Sequence, residues 1–586
     1  MKTEALLSVS DFVKKGGWVI DTQFVVNMGV PYLLAHGLGT PVGEAVASLE
    51  ELARGSYYLY VYTYNWVAPW KEQYTPGLFE VSVDGRSCGT FGRCPTWGWE
   101  CGGIVEVGQR SSLILRDLTG FEGRCGLVYL TKEPCDTLPT GAEAVRAFYR
   151  RLKGCEGVSE TVQTELTVCG AGIAGICATL SAARQGVKTL LVGDRPVVGG
   201  NNSSEVRVWL GGKTNFAPFP SVGNIVNELE QAKVGHYGCE NRGENYEDGK
   251  KLQKLLDEPC ATVLLNHIAT GVSTECGQIR SIEVWDYLHD RFLCVQTKLV
   301  CDSTGDGTVA YLAGGHFEVT TNGHMGMTNP WYVEPTDGDD SFPSCPWAID
   351  LKGVDFPGKP GVKDVYGGEM ERSLGCWFWE SGCESDPIDK AEYARDLNLR
   401  AMYGAWDALR NHEGAYRGYR LGYASYVGGK RESRRFFGDL VLTKSDVLGG
   451  NTFADGCVPS TWNFDVHYPD RRFYEAFREG DGFITKDYHE PFQKPFFIPY
   501  RCLYSRNVDN LFLAGRNVSV SHDALGTVRV MRTGGMMGEV VGYAAALCLA
   551  KDTLPRQIYT EHLEEFLHTL RTIPSVSLNK LVANEH

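Results

Sequence analysis

Residues 164–209 read TELTVCGAGIAGICATLSAARQGVKTLLVGDRPVVGGNNSSEVRVW, and the order of features in this stretch decides the fold. Leu166, Val168 and Cys169 form an apolar strand that runs into the glycine turn Gly170-Ala171-Gly172-Ile173-Ala174-Gly175. A helix rich in small residues (Ala178, Ala182, Ala183) follows and stops before Gly186, and a second apolar strand spans 187–192. Strand, GxGxxG, helix and strand in that order make a dinucleotide-binding fingerprint. Gly170 makes the turn, Gly172 lets the backbone approach a pyrophosphate, and Gly175 lets helix and strand pack closely. Ile173 and Ala174 open the helix, whose unpaired N–H groups and partial positive charge favour phosphate.

At 586 residues the chain is too long for one ordinary core, so two or three domains are expected. The 43% hydrophobic and 22% charged content is that of a folded globular protein. No run reads as a membrane span of about eighteen apolar residues. The opening MKTEALLSVSDF lacks the pattern of a secretory signal, so a cytoplasmic protein is expected. A net charge of −15 with no basic run argues against nucleic acid or an anionic membrane as partner. The 19 cysteines are scattered, with no CxxC and no zinc-like or iron–sulfur spacing. Reduced thiols and no metal are expected.

Residues 1–157 differ from the rest. Short β-type runs at 57–64, 77–83, 112–118 and 125–131, separated by turns, suggest an antiparallel β-sandwich. Its aromatics, among them Trp18, Tyr57, Tyr60, Tyr62, Trp97 and Trp99, suit either a sandwich core or a platform for sugar rings. Alternation in YYLYVYTYNW assigns half of those tyrosines to the core. A linking helix is expected at 142–153, and α/β character begins at about 163. The boundaries drawn are 158–320 for the first part of a Rossmann-like domain, 321–425 for a substrate-covering insertion, 426–553 for the second part with cap elements, and 554–586 for a terminal helix and tail.

Three segments fit one cofactor: the fingerprint, VCDSTGDGTVAYLAGG at 300–315, and NLFLAGRNVSVSHDALGTVRVMRTGGMMGEVVGYAAAL at 510–547. Gly526-Thr527 is expected to open a helix facing an anion. With GGNNSSEVRVW, TGDG and RESRR, these segments resemble the FAD-dependent oxidoreductases whose nucleotide domain is shared with fumarate reductase and glutathione reductase. The resemblance is nearest to a branch associated with carbohydrate degradation and extends into GGWVIDTQF, DLTGFEGRC and HMGMTNPW.

The resemblance implies an FAD site. Gly170, Gly172, Ile173, Ala174 and Gly175 would hold the pyrophosphate, and Gly199 and Gly200 would pass close to the cofactor. Asn201, Asn202, Ser203 and Arg207 would lie near the flavin, and Ile268, Ser303, Gly305 and Asp306 would contact the nucleotide half. Gly515 and Arg516 would approach the pyrophosphate from the other side. Leu525, Gly526, Thr527 and Val528 would place N–H groups at the flavin edge, where reduction builds negative charge. The acid that usually ends the second strand is replaced by Gly193, so either Asp194 reaches the ribose or backbone does; Asp194 is favoured, and Arg195 joins the set.

No second GxGxxG is present for a nicotinamide cofactor, so electrons are expected to pass between a small molecule bound at the flavin and a separate acceptor. Candidates for proton chemistry are His522 first and Arg529 beside it, with Tyr500 and His467 next. The run Lys430-Arg431-Glu432-Ser433-Arg434-Arg435 reads as a salt-linked scaffold. Trp331, Trp347, Trp377 and Trp379 either line a pocket or pack in a core. The favoured function is oxidation of a secondary hydroxyl of a sugar or glycoside. The alternatives are reduction of an activated C=C bond, or a carbohydrate-binding protein retaining an FAD fold. A homo-oligomer is compatible with all three.

Overall fold

The structure, a computed structural model, describes residues 2–574 apart from 234, 236, 339–340, 370 and 475–481; the tail at 575–586 lies outside the described residues. The runs LTVC and TLLVG lie buried at the centre of a seven-stranded sheet. Its order is Ala261–Leu265, Thr189–Gly193, Glu160–Cys169, Arg291–Asp302, Gln278–Asp286 and His267–Glu275, with Leu511–Leu513 pairing with the end of Arg291–Asp302. The first four of these strands and Leu511–Leu513 are parallel, so their C-terminal ends open on one edge. That edge is where an open α/β sheet binds its ligand.

Against this sheet, helix Ile173–Arg184 packs on helix Met531–Lys551. Gly534, Gly538 and Gly542 recur every fourth residue and face the fingerprint helix. An ideal Cβ at Gly538 would lie 2.0 Å from Ala174 O, and one at Gly542 would lie 2.4 Å from Ser181 Cβ, so only glycine admits this approach. Helix Met531–Lys551 also corrects the reading that no segment resembles a membrane span. It has the length and apolar character for one, but 72% of its most apolar window is buried inside the protein. Its apolarity is accounted for by burial on several faces.

Residues 4–131 form a six-stranded and a five-stranded antiparallel sheet around one shared core. Tyr57, Tyr60 and Tyr62 on strand Gly55–Thr63 are buried there, and Trp97 and Trp99 pack on Tyr62 with centroids 5.3 and 5.1 Å away. These aromatics are core, not an open sugar platform. Helix Ala142–Lys153 follows.

A further group of elements, the cap, shares a cavity with Asn201 and Arg516. It carries helix Ala391–Asp407, the pairs Trp331–Pro335 with Tyr419–Ala424 and Phe464–Pro469 with Thr485–Glu490, and a core around Trp331, Trp347, Trp379 and Trp406. Buried charges join it to the N-terminal sheets. Arg124 meets Asp396 at 2.5 Å and Glu392 at 2.7 Å, and Arg395 meets Asp21 at 3.0 Å. No disulfide joins any cysteine among the described residues.

Candidate active site

The fingerprint glycines divide by what surrounds them. Gly170 has φ +104°, and an ideal Cβ there would lie 2.3 Å from Ser303 O. At Gly175 the Cβ would lie 1.9 Å from Gly170 O, whereas at Gly172 it meets nothing within 4 Å. The space beside Gly172 is therefore an opening that the packing leaves. Four backbones converge on it: an ideal Cβ at Gly200 lies 3.0 Å from Gly172 Cα, that at Gly515 lies 3.6 Å from Ala174 Cβ, and that at Gly534 lies 3.8 Å from Gly515 Cα. Three buried polar atoms near these segments, Arg516 Nη1, Asn202 Oδ1 and Thr533 Oγ1, have no hydrogen-bond partner among the described residues. Leaving buried polar groups unmatched costs free energy, so such atoms around a glycine-lined groove are those of a ligand site.

From the groove a cavity of about 280 Å³ extends under the cap, lined by Asn201, Arg207, Lys430, Arg431, Arg516 and Arg529 and walled by Trp209, Trp331, Tyr332, Trp377, Tyr423 and Trp462. Its floor is built by strand Phe464–Pro469, whose alternation puts Asp465 and His467 on one face. Gly526 lets that strand in: an ideal Cβ there would lie 2.9 Å from Asp465 O.

His467 Nδ1–H donates to Glu380 Oε2 at 2.7 Å, while Nε2 lies 3.1 Å from Arg529 Nη2 and 3.0 Å from Asp465 Oδ1. Burial raises the pKa of Glu380, but Arg431 (3.3 Å away) and His467 outweigh it and bring the value down to about 2. Burial likewise raises Asp465, and Arg529 and His467 hold it well below the usual carboxylate range. Two ionised carboxylates thus bracket one imidazole.

The cations around the cavity are mostly matched. Lys430 meets Asp306 at 2.6 Å, Arg516 meets Asp306 at 3.6 Å, and Arg529 meets Asp465 at 3.2 Å. Arg207, at φ +64°, donates to Asn241 O and Tyr332 OH and lies 3.4 Å over the Tyr423 ring.

The family model for FAD dependent oxidoreductases matches residues 165–567, more than two thirds of the chain. The chain belongs to this FAD dependent oxidoreductase family. Its cofactor is FAD, and it is an FAD-dependent oxidoreductase. No curated protein matches this oxidoreductase. Similar solved structures include the FrdA chain of E. coli quinol fumarate reductase (12% identity, 70% of this chain and 75% of that chain, TM-score 0.31). A geranylgeranyl bacteriochlorophyll reductase-like protein from Thermoplasma acidophilum has 13% identity, covers 72% of this chain and 91% of that chain, and gives TM-score 0.33. The glycerol-3-phosphate dehydrogenase from Bacillus halodurans, complexed with FAD, has 16% identity over 30% of this chain and 40% of that chain, with TM-score 0.21.

Several positions expected to serve this oxidoreductase's site are placed elsewhere. His522 does not line the cavity; its Nδ1 lies 2.9 Å from Glu432, which raises its pKa against the opposing effect of burial and braces the Lys430–Arg435 run. Tyr500 is fully buried, donates to Pro555 O at 2.8 Å and packs on Phe566, so it belongs to the core. Leu525, Gly526, Thr527 and Val528 do not begin a helix. They lie inside His522–Val528, with Leu525 N bonded to Ser521 O, and the helix that opens toward the groove is Met531–Lys551. Ser303 Oγ donates to Cys169 O and Gly170 O, tying the turn. Arg195 is bound by Glu205 at 2.6 Å and Ile20 O, linking the sheet to the N-terminal module. Ile268 packs into the aromatic core of that module.

Asp194 stands exposed one residue past the strand end, and the reason is local: a Cβ at Gly193 would lie 2.7 Å from Ala171 Cβ. Asn202 and Ser203 brace the Gly199–Gly200 loop through Val208 O, Gln231 and Glu205 N. Asn201, Arg207, Gly515 and Arg516 face the groove or the cavity, and Gly305 leaves room for Arg516. Trp331 and Trp377 line the cavity, whereas Trp347 and Trp379 are core. No residue of 1–157 is among the described residues lining it.

Asp465, Glu380 and Arg431 were not singled out as proton-handling residues. A signal was present: the triplet D-x-H occurs twice, at 465–467 and 487–489, on two paired strands.

Proposed function

We propose that this enzyme oxidises a secondary hydroxyl of a sugar or glycoside, with His467 as the base. The observation that carries this reading is the His467 cluster at the floor of an aromatic-walled cavity beside the FAD groove. Bound FAD supplies the hydride acceptor. Gly170, Gly172, Gly175, Gly199, Gly200, Gly515 and the head of helix Met531–Lys551 would hold its pyrophosphate and flavin, with Asp194 at the ribose and Arg516 and Asn202 completing their hydrogen bonds.

At rest Nδ1–H of His467 is engaged by Glu380, and Nε2 accepts from Arg529. Nε2 takes the hydroxyl proton as the substrate hydroxyl displaces the Arg529 contact, while the hydride leaves carbon. Once protonated, Nε2–H donates to Asp465 Oδ1, 3.0 Å away, and both carboxylates stabilise the imidazolium. His467 and Glu380 are both buried, which strengthens each of these interactions.

Charge matching favours this reading over reduction of an unsaturated acid. A substrate carboxylate needs an unopposed cation clamp; Lys430, Arg431, Arg516 and Arg529 already face Asp306, Glu380 or Asp465, and Arg207, which has no ion pair among the described residues, is engaged by Asn241 O, Tyr332 OH and the Tyr423 ring. Aromatic walls suit the apolar faces of pyranose rings. Reoxidation by a separate acceptor completes the cycle.

The test is anaerobic titration of the FAD-loaded enzyme with a panel of glycosides. Bleaching of the visible flavin band by a glycoside is the expected result. If no glycoside bleaches it and the dithionite-reduced enzyme is instead reoxidised by an unsaturated carboxylic acid, the proposal fails.

A further inference from the structure

We infer that the mouth of this cavity is a second sugar-binding position, so that the substrate is a glycoside of at least two rings oxidised on its inner ring. The inference rests on the proposed function and centres on Tyr366, Tyr237, Asp487 and His489, which the proton chemistry does not use. Antiparallel register places His467 opposite Asp487 and Asp465 opposite His489, so all four side chains share one face of the hairpin. Asp465 and His467 are on the buried floor. Asp487 is also buried, while His489 lies at the exposed end.

Beside that second D-x-H pair stand Tyr366, 58% exposed, and Tyr237, 39% exposed, both lining the cavity. The Tyr366 ring lies 5.7 Å from that of Trp377, and burial together with the nearby Asp487 carboxylate raises the pKa of its hydroxyl. Large aromatic side chains left open at a cavity mouth are a binding feature, because burying them in a core would be more favourable.

The polar groups among them decide the occupant. Asp465, Asp487 and His489 bring ligand atoms within 4.8 Å of one another. Arg529 already balances Asp465 and His489 is hydrogen-bonded to Asp487, so the group offers acceptors and a donor to hydroxyls rather than bare charge to a cation. An aromatic face next to a buried carboxylate and an imidazole matches a pyranose, with an apolar face and hydroxyls at its rim. A plain aryl group would leave Asp487 with a lost hydrogen-bonding opportunity. The cavity runs from Asn201 and Arg516 at the groove to Tyr366, Tyr237 and His489 at its mouth, so a ring held beside His467 would have its neighbour against the mouth residues.

The experiment compares a disaccharide with the methyl glycoside of its inner sugar, on the FAD-loaded enzyme and on Tyr366→Ala and Asp487→Asn variants that keep the parental flavin spectrum. Each variant is expected to raise the KM for the disaccharide about tenfold more than the KM for the methyl glycoside. Equal effects on both substrates, or none on the disaccharide, would overturn the second position. Calorimetric binding of the disaccharide to parental and variant enzyme reads the same difference without turnover. If no glycoside reduces the flavin yet this binding difference persists, the oxidation proposal falls and the sugar position stands. If binding is unchanged by both variants, the sugar position falls whatever the turnover.

Discussion

The glycine-lined groove and the cavity under the cap meet at Asn201 and Arg516, yet they are built in opposite ways. The groove is made of backbone: Gly172, Gly200, Gly515 and Gly534 approach it because nothing larger fits their surroundings or because the space beyond is left open. The cavity is made of side chains drawn from residues as far apart as Arg207, Trp377, Arg431, His467 and Arg529, held in place by ion pairs that cross the cap. A backbone site tolerates variation in side chains and fails when a Cβ is added. A side-chain site fails when one partner of a charged cluster is removed.

The sharpest way to break that contrast is Gly172→Val. Gly172 has φ −72°, which any residue adopts, and its Cβ would meet no protein atom within 4 Å. The apo variant should therefore fold with a normal melting temperature and retain no FAD, because the side chain takes the pyrophosphate's space. Gly175→Val should instead prevent folding, since its Cβ would lie 1.9 Å from Gly170 O. FAD release and circular dichroism on both variants distinguish the two outcomes; full FAD retention by Gly172→Val would refute the groove assignment.

His467→Asn removes the base and keeps a hydrogen-bonding side chain. Substrate-driven bleaching should slow by roughly 10²–10⁴-fold with the flavin spectrum unchanged. His522→Asn, by contrast, should slow it by less than about tenfold, because that histidine contacts Glu432 and not the cavity. Reversal of this order in stopped-flow traces would return His522 to the role expected of it in the sequence.

Arg124→Met tests the link between the N-terminal sheets and the cap. It leaves Glu392 and Asp396 short of a buried partner and should cost about 3 kcal/mol in urea unfolding. Removing residues 1–157 altogether should be more damaging still, since Asp21, the partner of Arg395, goes too. A truncated protein with parental stability would show that the network contributes nothing.

The smallest effect expected is at Glu539, on the helix that packs against the fingerprint. Burial raises its pKa to about 8. The folded state therefore binds a proton that the unfolded state has released between about pH 4.5 and 8, and stability falls as pH rises through that window. Glu539→Gln removes this dependence, so its advantage in melting temperature over the parent should be slight at pH 5 and grow toward pH 8. A gap independent of pH would contradict the assignment.

Much of the fold was legible along the chain because its determinants are local. The GxGxxG turn, the helix at 142–153 and the alternating tyrosines each follow from neighbours a few residues away. Helix starts were less legible: Gly526-Thr527 looks like an opening, but Gly526 is small to admit strand Phe464–Pro469, and the helix facing the groove starts at Met531. Tyr500 and His467 look alike in sequence, as isolated candidates in IPYRC and DVHYP. One points into a core of Tyr504 and Phe566, the other into a cavity.

The sequence by itself determined the dinucleotide fingerprint and the membership of the FAD family that it announces, because a tight turn, a close approach and a helix N-terminus are set by the φ, ψ and Cβ of consecutive residues. Only the tertiary structure decided which histidine meets which acid. Glu380 and His467 are 87 residues apart, and the strand register and cap packing that bring them to 2.7 Å are properties of the folded chain.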